Sequence, residues 1–186
     1  MKVIAAILFL VTLSAHAEEP GIFGFVFGNT LNLPECPYRI ISGASTKQYD
    51  SVVSSTCIRD AHSLRGYGQP VREITFSPKE CPSIVKNGRA FPLESSGKLI
   101  GIHFLTPGVE SQELVMQQLI EKFGKPNLIK NLPVKNSSGA TFSSIEAHWR
   151  TPGQLSVTYY GTHGRMDYGE VFVDSPMAAM LRQTWK

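Results

Sequence analysis

The chain has 186 residues, enough for one domain with a substantial core, and its 18 Lys and Arg against 15 Asp and Glu give a formal net charge of +3. That near balance, without a run of basic residues, leaves nucleic-acid binding with no electrostatic footprint, and no polybasic or acidic tail is present to engage a membrane surface or a cationic partner. Nor is there a G-x-S-x-G elbow, an H-E-x-x-H helix, a Walker loop or a dinucleotide-binding glycine fingerprint.

Residues 1–17 read as a secretory signal peptide. Lys2 supplies the positive end, Val3 to Leu13 the apolar stretch, and Ala15-His16-Ala17 the small-x-small cleavage site. The predicted product is one exported α+β domain over residues 18–186, periplasmic or secreted. No cysteine stands at the cleavage point to take a lipid, and no later segment reaches transmembrane length. Export changes how Cys36, Cys57 and Cys81 are read, since disulfides persist in oxidising compartments. A Cys36–Cys57 bridge suits two neighbouring strands joined by a loop. The repeated Glu-Cys-Pro at Cys36 and Cys81 keeps Cys36–Cys81 open as the alternative. Without a C-x-x-C pair, or a cysteine at ligand spacing from a histidine, no metal or other cofactor is expected.

Glu18 to Gly28 sets Ile22, Phe23, Phe25, Val26 and Phe27 between glycines, as an N-terminal strand or an apolar segment laid on the core, with an exposed binding arm as the alternative. Asn29 to Pro37 is proline-bounded and reads as a short edge strand. The β-prone stretch Tyr38 to Asp60 is expected to form one or two strands carrying Cys57. Ala61 to Pro70 reads as a glycine-rich loop and Val71 to Ser77 as a strand. Lys79 to Gly97 reads as a long irregular connection, and so as a candidate interaction loop.

The firmest local signal runs from Lys98 to Asn127. The run Leu99, Ile100, Ile102, Phe104, Leu105 has the length of a strand, with His103 inside it. Met116, Leu119, Ile120 and Phe123 then recur at i, i+3, i+4 and i+7, as on one face of a helix. Gly124 suits the left-handed helix stop, and Pro126 prevents its resumption. Leu128 to Ala140 carries a turn at Asn136 to Gly139. Three antiparallel strands follow, at Thr141 to Arg150, Leu155 to Tyr160 and Glu170 to Asp174, with turns at Pro152-Gly153 and Gly161 to Gly169. A short last helix, Met177 to Trp185, is expected to dock through Met180, Leu181 and Trp185. The expected class is therefore α+β: an antiparallel sheet with one central amphipathic helix and a short C-terminal helix.

Gly108-Val109 before the helix, Phe123-Gly124-Lys125-Pro126 at its end, and Trp149 followed by Leu155-Ser156-Val157 in a hairpin resemble the SmpA/OmlA (BamE-like) outer-membrane lipoproteins and the β-lactamase-inhibitor proteins. The resemblance covers roughly residues 106–174, and this chain lacks the lipid-bearing cysteine of the lipoproteins. It implies a non-catalytic protein-binding module of the cell envelope, accessory or inhibitor-like, with a protein partner in the envelope or outside the cell. Trp149, Arg150, Tyr160, Arg165 and Tyr168 gather near the turns of the three-stranded segment, and aromatic and arginine side chains are the types enriched at binding hot spots. They are the expected binding residues, and no catalytic residue is assigned. Two other readings stand beside this one. An immunity protein against a secreted toxin would look the same in sequence. A secreted hydrolase or thiol enzyme would need His103, His148 or His163 to converge with a carboxylate or with the unpaired thiol; His62 and His163 sit in glycine-rich loops and read as solvated turn residues.

Overall fold

The computed structural model of the chain describes residues 20–41, 47–61 and 71–184. The signal-peptide reading, the loop expected at 62–70 with His62, and Trp185 lie outside the described residues. Two small hairpins lead in, β1 (Gly21–Ile22) with β2 (Phe25–Val26), and β3 (Tyr38–Ile40) with β4 (Lys47–Tyr49). The strands β5 (Cys57–Ala61), β6 (Val71–Thr75), β7 (Arg89–Ser95) and β8 (Lys98–Pro107) precede the helix α1 (Gln112–Phe123). After it come β9 (Leu128–Lys135), β10 (Thr141–Arg150), β11 (Ser156–Tyr160), β12 (Tyr168–Asp174) and the short helix α2 (Pro176–Gln183). Strands β5 to β12 form one antiparallel sheet in the order β5-β6-β7-β8-β12-β11-β10-β9, so the last strand lies in its middle. The α+β class and the three-stranded segment β10-β11-β12 are as expected from the sequence.

Alternation along the strands sends one set of side chains under α1. Cross-strand partners share a face of a sheet, and here Phe104, Val171, Tyr159 and Ala147 form one row and Ile102, Val173, Val157 and Trp149 the next. All are essentially buried, covered by Val115, Met116 and Leu119 of the helix. The helix forms where periodicity places it, but its buried stripe starts at Gln112 and leaves Ile120 partly exposed. Gln112 sets that rotation: its amide donates to the Ser143 carbonyl at 2.7 Å and accepts from the Ile145 N–H at 3.0 Å, which satisfies a polar group that would otherwise be costly to bury. At the other end Gly124 has φ near +77° and donates its N–H to the Ile120 carbonyl. The same core extends under β6 to β8, where the first hairpin covers it. Ile22 and Phe27 are buried, and the Phe23 ring packs on Phe104 and Phe76 with centroids 5.1 and 5.9 Å apart.

Four sequence expectations are corrected. Residues 29–37 form no strand; Asn29 instead accepts from the Leu99 N–H, and residues 34–36 touch β5 at one point, with Cys36 N–H donating to the Ile58 carbonyl and Ile58 N–H to the Pro34 carbonyl. The supposed irregular connection of Lys79 to Gly97 contains β7, and Ile84 and Val85 before it are core residues. Pro92 hides this strand in the sequence. It is tolerated because pairing with β6 stops at Ala90, and beyond that point β7 has a strand on one side only. The turn expected at Asn136 to Gly139 is present, but Leu128 to Lys135 before it, given no element from the sequence, is the edge strand β9, exposed on both faces and therefore without alternation. Its lysines and Pro133 blunt an edge that would otherwise invite pairing. Finally α2 docks through Ala178, over Gly101, while Met180 is exposed; a larger side chain has no room against the glycine.

The disulfide joins Cys36 and Cys57, the first of the two pairings weighed, and Cys81 is free. Next to the bridge, Glu80 accepts hydrogen bonds from the Thr56 N–H and hydroxyl and from the Ser77 hydroxyl, at 2.7–2.8 Å. The bonds from Thr56, and then that from Ser77, hold the Glu80 carboxyl below the usual carboxylate range. A group with a lowered pKa contributes stability that is complete above the ordinary carboxylate value and is lost as pH falls through the lowered one. Exchange of the Thr56 amide should therefore quicken as pH falls below about 4 relative to amides of β8, once intrinsic rates are divided out. Glu80→Gln should show the fast rate at every pH. Equal rates in the two proteins would remove Glu80 from that role.

Candidate functional site

The sheet face opposite α1 is the distinctive surface of the molecule. Two rows of partners cross it. Phe91, His103, Phe172, Thr158 and His148 run from β7 to β10, and beside them Leu105, Glu170, Tyr160, Glu146 and Lys130 run from β8 to β9. The helix α2 covers one end of this face. Its Arg182 lies 4.6 Å from the centre of the Phe172 ring and donates to Asp174 at 2.7 Å. Burial, against the opposing pull of Arg182, pushes the Asp174 carboxyl above its ordinary value.

Three histidines converge here with two carboxylates. The His103 ring is stacked on Phe172, with centroids 4.4 Å apart, and faces Phe91 on its other side. Its Nε2 is buried, has no hydrogen-bond partner, and lies 3.6 Å from Oε1 of Glu170. His163, reaching back from the β11–β12 turn, places Nδ1 3.1 Å from the other oxygen of the same carboxylate. One strand further on, Nε2 of His148 is 2.8 Å from Oε1 of Glu146, and Nδ1 is 3.3 Å from the Thr158 hydroxyl. Since a carboxylate only accepts, Nε2 of His148 carries the proton and Nδ1 accepts from Thr158. The bond from His148, reinforced by Lys130 at 3.5 Å, holds Glu146 below the usual carboxylate range. Between the acids stands Tyr160, whose phenol is pushed up first by burial and then by the charges of Glu146 and Glu170.

The five residues expected to bind do not form one patch. Trp149 is in the core, under the end of α1, where its indole N–H donates to the Gly124 carbonyl at 2.8 Å. Arg150 is exposed at the β10–β11 turn, opposite Ser156, whereas Tyr168 opens β12 and Arg165 belongs to the turn before it, at the other end of β11. Five residues of strand, on the order of 17 Å, separate the two ends. Arg165 is bound to Asp167 at 2.8 and 2.9 Å, and Lys86 and Arg165 both lie 5.7 Å from the Tyr168 ring centre. By strand alternation Tyr160, Tyr168 and Arg150 all lie on the open face, Tyr160 within it and the other two at its opposite ends. Sequence reasoning passed over Glu146 and Glu170 entirely. The visible signal was period-two spacing, Glu146 with His148 and Glu170 with Phe172 on strands already recognised, but it needs the register between strands to become a cluster.

Chemically the face holds acid–base pairs, with the Thr158 hydroxyl beside the His148–Glu146 pair, while the free thiol lies elsewhere. Cys81 packs against the α1-side core, and burial pushes its thiol up, away from the reactive thiolate. Among the described residues no group of three His, Cys, Asp or Glu is placed to hold a metal ion, and no helix is long and apolar enough to cross a membrane. The chain matches no protein-family model, no curated protein and no solved structure.

Proposed function

We propose that this is an exported, non-catalytic protein-binding module of the cell envelope or extracellular space, and that the sheet face opposite α1 is its contact surface. One observation carries the reading. Strands β8, β12, β11 and β10 present Phe172, Thr158, Tyr160 and the His–Glu pairs on a face that α2 covers at one end, while the hydrophobic core is complete on the other side. Large side chains that combine apolar area with hydrogen-bonding tips are what binding surfaces use. The disulfide supports an oxidising destination.

Affinity capture from envelope and secreted extract of the source cell tests this. The wild-type protein should retain one stoichiometric protein partner. Thr158→Arg, which plants a long charged side chain in the middle of the face, should lose it while unfolding within about 0.5 kcal/mol of wild type. Capture of the same partner by both proteins would move the contact elsewhere. A blank with both would shift weight to acid–base catalysis by the His–Glu pairs.

A further inference from the structure

The cross-strand triplet Glu146, Tyr160 and Glu170 has a more specific property. The three residues lie directly opposite one another on adjacent strands, so their Cβ atoms are separated by roughly 5 Å per step and a phenol ring stands between two carboxylates. An aromatic ring flanked by acids is a receptor for a cation, through ring attraction and charge-assisted hydrogen bonds together. Each carboxylate keeps acceptor capacity. His148 and Lys130 both approach Oε1 of Glu146, which leaves Oε2 for an incoming donor. Glu170 is met by two histidines rather than by a fixed cation. Both acids are mostly but not wholly buried, which lets a ligand reach them and weakens competing water.

An independent observation points to the same ligand. Nε2 of His103 is a polar atom in a residue more than nine-tenths buried, aimed at Glu170 and left without a hydrogen bond, a state that is costly in a finished structure. A neutral imidazole with that nitrogen unprotonated accepts a hydrogen bond. A guanidinium offers five donors in a planar fork, enough to serve a carboxylate and this nitrogen at once. Once protonated, the same nitrogen becomes a donor to Glu170, occupies the carboxylate and repels a cation. His163 does likewise on the other oxygen, and His148 beside Glu146.

Building on the binding-module reading, we propose that Glu146, Tyr160 and Glu170 receive an arginine side chain of the partner protein, and that His103, His148 and His163 expel it as they take up protons. The charged groups around the triplet fit this. Lys130 from β9 is half exposed and free to swing off Glu146. Arg182 from α2 is engaged with Asp174, and Arg165 from the β11–β12 turn with Asp167. At neutral pH the two carboxylates therefore outweigh Lys130. With three imidazolium groups added the sign reverses.

The test uses the purified protein and a defined probe, acetyl-Gly-Gly-Arg-Gly-Gly-amide, with its citrulline counterpart as a neutral isostere. Side-chain NMR signals of Tyr160 and the three histidines are followed during titration. At pH 7.5 the arginine peptide should give saturable shifts, with a dissociation constant on the order of 1 mM. Binding should weaken at least tenfold at pH 5.5 and in Glu170→Gln, and the citrulline peptide should give none. Glu146→Gln, at a more exposed position, provides the same reading if Glu170→Gln fails to fold. Absence of saturation at pH 7.5, equal binding of citrulline, or affinity indifferent to pH or to both variants would overturn the receptor. If a captured partner holds Glu146→Gln and Glu170→Gln as tightly as wild type at both pH values, the receptor fails while the binding module stands. Loss of that partner in Thr158→Arg reports on the module alone.

Discussion

Trp149→Ala should lower the free energy of unfolding by about 3–5 kcal/mol, the largest single-residue effect expected in this chain. The side chain is 1% exposed, pairs across the sheet with Val157, and is among the largest fully buried residues of the structure. Two separate losses add up. Truncation leaves a cavity under α1 that its neighbours fill only in part, and the indole N–H no longer holds the Gly124 carbonyl at the helix end. Trp149→Phe separates them. It keeps most of the apolar volume and removes the hydrogen bond, worth about 1 kcal/mol. Urea unfolding followed by circular dichroism checks both, and since domains of this size hold only about 5–15 kcal/mol, the alanine variant should be partly unfolded at 37 °C. An alanine variant within about 1 kcal/mol of wild type would mean that this part of the core collapses around the gap, contrary to the packing described.

Loss of the disulfide is the second large effect. Cys36 and Cys57, 21 residues apart, are buried together with Val53 and with Tyr49 packed against them, in a small cluster separate from the main core. A loop of that length restricts the unfolded chain enough to account for about 3 kcal/mol. The bridge also holds residues 34–36 along β5, where the Cys36 N–H donates to the Ile58 carbonyl and the Ile58 N–H to the Pro34 carbonyl. Replacing both cysteines by serine should shift the urea midpoint by the corresponding amount and speed exchange of the Ile58 amide, with strands β8 to β12 little changed. Reduction of the wild-type protein should reproduce both effects. A double variant as stable as wild type would assign the stability of this edge to the cluster alone.

Local pattern carried the elements that bury one face. The strand from Leu99 and the helix at Met116 and Leu119 stand out because water is excluded from one side only, and the turns of β10 to β12 carry Pro152-Gly153 and Gly161. What escaped was structure whose environment is symmetric or whose partner is distant. The β9 strand is wet on both faces, so its residues have no period to show. The β7 strand contains Pro92, which reads as a breaker until the missing neighbour on that side is known. The site is a harder case. Trp149 was chosen for its type, but its place two residues after Ala147 on the core face decides its role. The convergence of Glu146, Tyr160 and Glu170 depends on which strands adjoin, and that is fixed by long-range pairing rather than by any stretch of sequence.

That pairing sets the order in which the molecule can assemble. Asp174 lies against Gly101 and Tyr168 against Pro107, so the seam at the centre of the sheet joins two strands that α1, β9, β10 and β11 separate in the chain. Hairpins such as β10–β11 close over short loops and can form early, while the β8–β12 seam waits for the elements between them and carries the entropy of a long loop, which slows folding. Until then there are two half-sheets, β5 to β8 and β9 to β11, each ending in an unpaired apolar strand, β8 in one and β11 in the other. Those bare edges, rather than the guarded outer strand β9, are where a stalled or C-terminally truncated chain would aggregate.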